Sequence, residues 1–282
     1  MSEVYESKWV RQIAGLQQDD GSWGYFHTLS QPTKTRPITT EQALRRLRIL
    51  GLTKDDAPVT AALRYMRECL KGERRPPDGR EKVLNWDAFE AHMLATWIRI
   101  FEPDDPLAAP IAEMWADIIT KSFRNGALDG NVYETEYRRR IPVLNYGERM
   151  IMIPQFYMVN LLKGALDTET ERRFVDYIIN NKSGIYYIYG SAVAIPPTEF
   201  ASRKTSFYLG ALEQIAGYAC AGEKLAFAVK WLSDHKDADG GWDLGAAGKD
   251  GVYLPLSDSW RKPEDRKRDC TERITRLLKW LE

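Results

Sequence analysis

The chain has 282 residues, of which 44% are hydrophobic and 28% charged, an ordinary balance for a globular protein with a substantial core. Forty basic side chains against forty acidic ones leave no net charge, which argues against nucleic acid as the main ligand, since phosphate binding usually brings a basic excess. No signal peptide opens the chain, no apolar run reaches membrane-spanning length, and Cys69, Cys220 and Cys270 lie far apart, so a cytoplasmic setting with free thiols is expected.

Helical periodicity dominates and no run alternates as a strand would. Ten helices are predicted, at about 3–17, 40–51, 57–71, 85–101, 107–124, 146–164, 168–181, 199–217, 222–235 and 271–281. In the last, Ile274, Leu277, Leu278 and Leu281 form one apolar stripe at helical spacing.

The helices come in related pairs. "KWV" at 8–10 matches "KWL" at 230–232, and each is followed by an Asp-Gly-x-Trp turn, "DGSW" at 20–23 and "DGGW" at 239–242. The next helices align as "TEQALRRLRIL" (40–50) and "TERITRLLKWL" (271–281). Aromatic positions recur at Trp9, Tyr65, Trp115, Tyr177 and Trp231, while 177–190 and 125–134 read as degenerate further copies of the turn. Joins between pairs are short and joins inside pairs are long, which would put every long loop on one face of an alternating helical array. Loops of that length in a compact domain usually carry function.

Gln18, Gly21 and Trp23, repeated in part at 239–242, resemble the repeat of the terpenoid cyclase and protein prenyltransferase superfamily. That resemblance implies one all-α domain over residues 1–282, an α/α toroid with inner and outer rings of about five helix pairs around a cavity. The turn tryptophans, Trp23 and Trp242, would wedge between neighbouring repeats. The implied ligand is a small hydrophobic or isoprenoid molecule.

The predicted inner helices open with capping residues and acids. Thr39 with Gln42, Asn145 with Glu148 and Asp269 with Glu272 have capping-box spacing, which explains Glu148 and Glu272 without any function. Were the five helices to converge, Glu41, Asp87, Glu148, Glu199 and Glu272 would face one end of the cavity. Asp87, beside Trp86, is the first candidate proton donor and Glu199 the second, because an acid in a dry aromatic pocket holds its proton. Candidate ligand-binding residues are Glu41, Trp86, Tyr133, Tyr146, Arg149, Tyr187, Arg203 and Arg273. Their aromatic faces suit a carbocation and their guanidinium groups a diphosphate. Arg203, one turn beyond Glu199 on a continuous helix, would pair with it.

Several motifs are missing. There is no Asp-x-Asp-Asp, no DDxxD, no Ser-His-Asp set, no P-loop and no dinucleotide motif. His27, His92 and His235 do not sit with Asp269 and Cys270 in zinc-ligand spacing, so neither a metal nor a cofactor is expected. The basic run "YRRRI" (137–141) reads as a solvated face or, less often, a phosphate contact. Three classes stay open: an isoprenoid cyclase with an unusual acid, a catalytically silent toroid that binds a small molecule or peptide, and a carbohydrate-active helical barrel. The sequence carries no signal for oligomeric state.

Overall fold

The computed structural model describes residues 7–31, 33–144 and 146–282. Among them the regular structure is helical; the only β pairings are two isolated bridges, Gln155 with Tyr186 and Ile185 with Tyr189. No described helix is long and apolar enough to cross a membrane. The chain divides into two compact units, 1–112 with 143–149, and 113–142 with 150–282.

The first unit holds α1 (Lys8–Ala14), α2 (Thr40–Ile49), α3 (Ala57–Leu70) and α4 (Trp86–Phe101). α2 packs against α1 and α3, and α3 against α4. Local rules set the helix starts. Thr39 and Gln42 form the expected capping box, Asn85 accepts from the Ala88 amide, and Pro58 sits in the first turn of α3.

The division between the units falls in the first turn of α5 (Ala109–Ser122). The second unit continues with α6 (Gly130–Arg140), α7 (Phe156–Leu161), α8 (Thr168–Asn180), α9 (Arg203–Ile215), α10 (Ala221–Lys224), α11 (Ala226–Asp234) and α12 (Pro263–Leu281). α9 lies against α7, α12 and a short 3-10 turn, Ala246–Gly248, while α10 touches α8, α11 and α12.

Four helix assignments need correction. Residues 146–155 are not helical, because Gly147 takes a left-handed φ of 81° and Pro154 cannot sit inside a helix; only Phe156–Leu161 remains of that element. Glu148 therefore caps no helix, and its carboxylate accepts from the Leu144 amide; Asn145 lies outside the described residues. α12 starts at Pro263, with Glu264 and Asp265 in its first turn, so Asp269 and Glu272 are interior residues and not a cap. The "DG" at 129–130 opens a helix: Asp129 accepts from the amides of Asn131 and Val132, so this stretch is no copy of the turn. α9 begins at Arg203 behind the cap Ser202, which leaves Glu199 outside it.

The repeated turn is real and can be matched atom by atom. The Trp23 indole donates to the Ile13 carbonyl at 2.7 Å, and the Trp23 amide to Thr40 Oγ1 at 3.0 Å. The Trp242 indole donates to the Leu232 carbonyl at 2.7 Å, and its amide to Thr271 Oγ1 at 3.0 Å. The backbone closes alike, Gln18 with Ser22 and Gly21, Asp237 with Gly241 and Gly240. Gly21 and Gly240 hold left-handed φ of 93° and 80°, and a Cβ on Gly21 would stand 2.4 Å from the Ala61 carbonyl oxygen. Both indoles are buried.

These bonds confirm the pairing of Thr40 with Thr271 and correct that of "KWV" with "KWL". Ile13 corresponds to Leu232, so Trp9 corresponds to Ala228, one helical turn before Trp231. At 181–184 the turn survives only in its backbone. The Gly184 amide donates to Asn181 and φ is 67°, but the tryptophan position is taken by the half-exposed Tyr186.

Removing the shared acceptor isolates this device from side-chain volume. Thr40→Val and Thr271→Val should each cost about 1–3 kcal/mol in chemical denaturation, as a buried amide loses its partner. Trp23→Ala and Trp242→Ala should cost on the order of 3–5 kcal/mol. Threonine variants as stable as the parent would show that the latch contributes no stability.

Candidate functional site

The proposed inner-ring residues occupy varied settings. Glu41 is buried and its carboxylate is fully engaged, accepting from the Thr28 amide and the Trp97 indole, each at 2.6 Å. Trp86 is buried beside Phe89, with ring centroids 5.4 Å apart. Asp87 points the other way. Its side chain is 56% exposed and ion-paired with Arg80 at 2.5 Å and Arg75 at 3.6 Å. Water and cations surround it, in place of the dry aromatic wall that a proton donor needs. Tyr146 and Arg149 are exposed, Arg149 being tied down through its amide to the Val83 carbonyl.

One acid of the first unit that the sequence reading passed over is Glu90. It is half-buried near Trp86, Arg75 and Arg80, and burial raises its carboxyl above the ordinary range. It lies one turn beyond Asp87 on α4, and no pattern in the sequence separates it from other helical glutamates.

In the second unit Arg273 is a structural residue, only 4% exposed. Its guanidinium bonds to Glu213 at 2.7 and 3.1 Å and to Ser206 at 2.7 and 3.0 Å, and it lies 4.4 Å over the Tyr253 ring. Ser206 donates onward to Asp250, which also accepts from the amides of Val252 and Tyr253. The fork is fully spent on the fold and holds nothing free for a ligand. Tyr133 is likewise internal, donating to the Ile151 carbonyl. Glu272 is exposed and paired with Arg276. The run Arg138–Arg140 is neutralised by Glu134, Glu136 and Asp117, which makes it an ion-paired helix end and no phosphate contact.

Glu199 and Arg203 are both exposed, and among the described residues no ion pair joins them. Non-helical backbone at Glu199 removes the one-turn spacing that would have brought them together. Arg203 instead stacks over Phe207, 5.6 Å away, and donates to the Asp250 carbonyl at 3.3 Å.

Arg203 is nevertheless part of a concave site. A cavity of about 460 Å³ is lined by Ile188, Tyr189, Gly190 and Ser191 on one side and by Arg203, Lys204 and Phe207 on the other. The cationic wall is the first turn of α9, where helix N–H groups add positive potential. The opposite wall follows a tight turn, closed by reciprocal bonds of 2.9 Å between Ile185 and Tyr189. Tyr187 lies inside that turn at φ 71°, a conformation costly for a tyrosine, with its ring 4.2 Å from Tyr186 and 5.7 Å from Tyr157. Gly184 underlies the wall; a Cβ there would stand 2.0 Å from the Tyr189 carbonyl oxygen and 2.4 Å from that of Ser191. No carboxylate lines the cavity among the described residues. Of the ligand-binding residues read from sequence, only Arg203 reaches it, with Tyr187 in the turn behind.

Comparison with known protein families, with characterised proteins and with solved structures gives no match.

His92, on α4, is fully buried, and burial pushes its imidazole down to about 3 from 6.5. Between these pH values the unfolded chain takes up a proton that the folded chain refuses. Stability from this group is therefore complete above pH 6.5 and declines as pH falls, by up to about 1.4 kcal/mol per pH unit. Melting temperature should drop between pH 7.5 and 5, and His92→Gln, which cannot titrate, should show a shallower drop. Parallel pH profiles for parent and variant would assign the acid sensitivity elsewhere.

Proposed function

We propose that this chain binds a small amphipathic anion, an isoprenoid-type molecule with a phosphate or diphosphate head, in the cavity between residues 188–191 and α9. The observation that carries this reading is that Arg203 and Lys204 share one acid-free cavity with Ile188, Tyr189 and Phe207. A cationic rim over apolar and aromatic walls matches a charged head on a hydrophobic body. Lys204 is exposed and has no ion-pair partner among the described residues, which leaves its charge for a ligand. The role is binding without turnover, because the two acids first in line as proton donors, Asp87 and Glu199, both stand in solvent.

The repeated tryptophan latch supports a wider reading: one α/α toroid of about five helix pairs, related to the terpenoid cyclase and prenyltransferase superfamily. The three cysteines, all buried and unpaired, favour a reducing, cytoplasmic setting.

Isothermal titration should show a prenyl diphosphate binding more tightly than inorganic pyrophosphate, which has the charged head and lacks the apolar body. Replacing both cations, Arg203→Ala with Lys204→Ala, should weaken binding about 10- to 100-fold. No binding of any prenyl diphosphate, or equal affinity in the double variant, would defeat the proposal.

A further inference from the structure

Three connections of the first unit, 26–38, 71–84 and 143–149, are tied to one another by hydrogen bonds. Asp78 accepts from the amides of Phe26 and His27 and from the Ser30 hydroxyl, and the Arg149 amide donates to the Val83 carbonyl at 2.8 Å. On these connections apolar side chains stand in solvent. Leu29 is 58% exposed, Leu144 59% and Tyr146 wholly so, with Val83 and Val143 close to half. A single exposed apolar residue needs no explanation, but five on linked loops point to a partner. Charge gives the kind of partner. In a chain with no net charge, these connections hold eight basic residues against four acidic ones. Two of the four acids are spent locally, Asp78 as above and Glu148 on the Leu144 amide at 2.9 Å. Glu68 offsets Arg74, while Arg75 and Arg80 share one acid, Asp87. Lys82 and Arg149 flank Val83, both exposed and without an ion pair among the described residues.

We infer that these loops dock the first unit on an anionic lipid surface. Leu29, Val83, Val143 and Leu144 enter the boundary between head groups and acyl chains. Tyr146 sits at that level, its ring among apolar chains and its hydroxyl in water. Lys82 and Arg149 meet the anionic head groups beside it. A bilayer takes up exposed loop tips without a pocket shaped to each, which a folded partner would have to supply. Nucleic acid would use the cations and leave the apolar tips in water. The inference does not depend on the cavity between 188–191 and α9, whose lining lies wholly in the second unit.

Co-sedimentation of the full-length protein with vesicles tests both halves of the surface. The parent should bind vesicles of phosphatidylcholine and phosphatidylserine in equal parts, and pure phosphatidylcholine far more weakly. Lys82→Gln with Arg149→Gln should weaken binding to the mixed vesicles about 10- to 30-fold. Leu144→Ser with Tyr146→Ser should weaken it about tenfold or more, with the melting temperature unchanged because neither side chain is packed. A fall in melting temperature in the serine pair would show that these residues serve the fold and overturn the inference. Equal vesicle binding by parent and serine pair would overturn it as well, since charge alone would then account for the contact. So would a parent that ignores vesicles, or one that prefers an oligonucleotide to them.

Discussion

An indole N–H bonded to a carbonyl in the last turn of the preceding helix holds each of the two well-formed repeats together. The same tryptophan offers its amide to a threonine hydroxyl on the next long helix, so one residue fixes three segments at once. Without it, the chain between those helices would have to satisfy its own buried backbone while crossing a distance that varies between copies. Seventeen residues separate Trp23 from Thr40, and twenty-nine separate Trp242 from Thr271, yet the bonds agree to a tenth of an ångström. Loop length is free to change because the latch does not depend on it, and chain closure grows only slowly more costly with length.

The freedom so gained is taken up by buried and half-buried carboxylates. Asp78 accepts from the amides of Phe26 and His27, Glu41 from that of Thr28, and Asp269 from those of Leu256 and Ser257 and from the Trp260 indole. Acids that a sequence reader would assign to proton transfer are spent on pinning loops. A carboxylate meeting several N–H donors is a strong acceptor and a stiff anchor, and that use competes with catalysis for the same side chains. The second unit repeats the pattern with opposite charge at Arg273, whose guanidinium makes four hydrogen bonds divided between Glu213 and Ser206.

What the sequence disclosed follows the range over which each signal acts. The Thr39 capping box, the stripe of α12 and the Trp turn are set by residues within a few positions of one another, and they fold as read. α6 escaped notice because "GNVYETEYRRR" carries only Val132, Tyr133 and Tyr137 on an otherwise polar surface, and it is held by ion pairs rather than an apolar stripe. The "KWV" match misled by one helical turn, since a helix presents the same face three or four residues on. For the candidate site the limit is sharper. Arg203 was legible as a cation near a helix start, but exposure and partnership are tertiary properties, so Asp87 and Arg273 read alike with residues that line a cavity. Tyr189, Ser191, Lys204 and Phe207 carry no motif and meet only through the fold.

The clamp at Asp269 has a kinetic meaning. Leu256, Ser257 and Trp260 donate to one carboxylate on a nineteen-residue helix, so the loop cannot loosen without breaking bonds to the interior of α12. Its amides should exchange with solvent at the pace of the helix and not at that of a surface loop. Long connections are commonly imagined as lids, which open and close around a guest. Here the connection before α12 belongs to the same opening unit as the helix itself, and any guest it touches meets a wall already set.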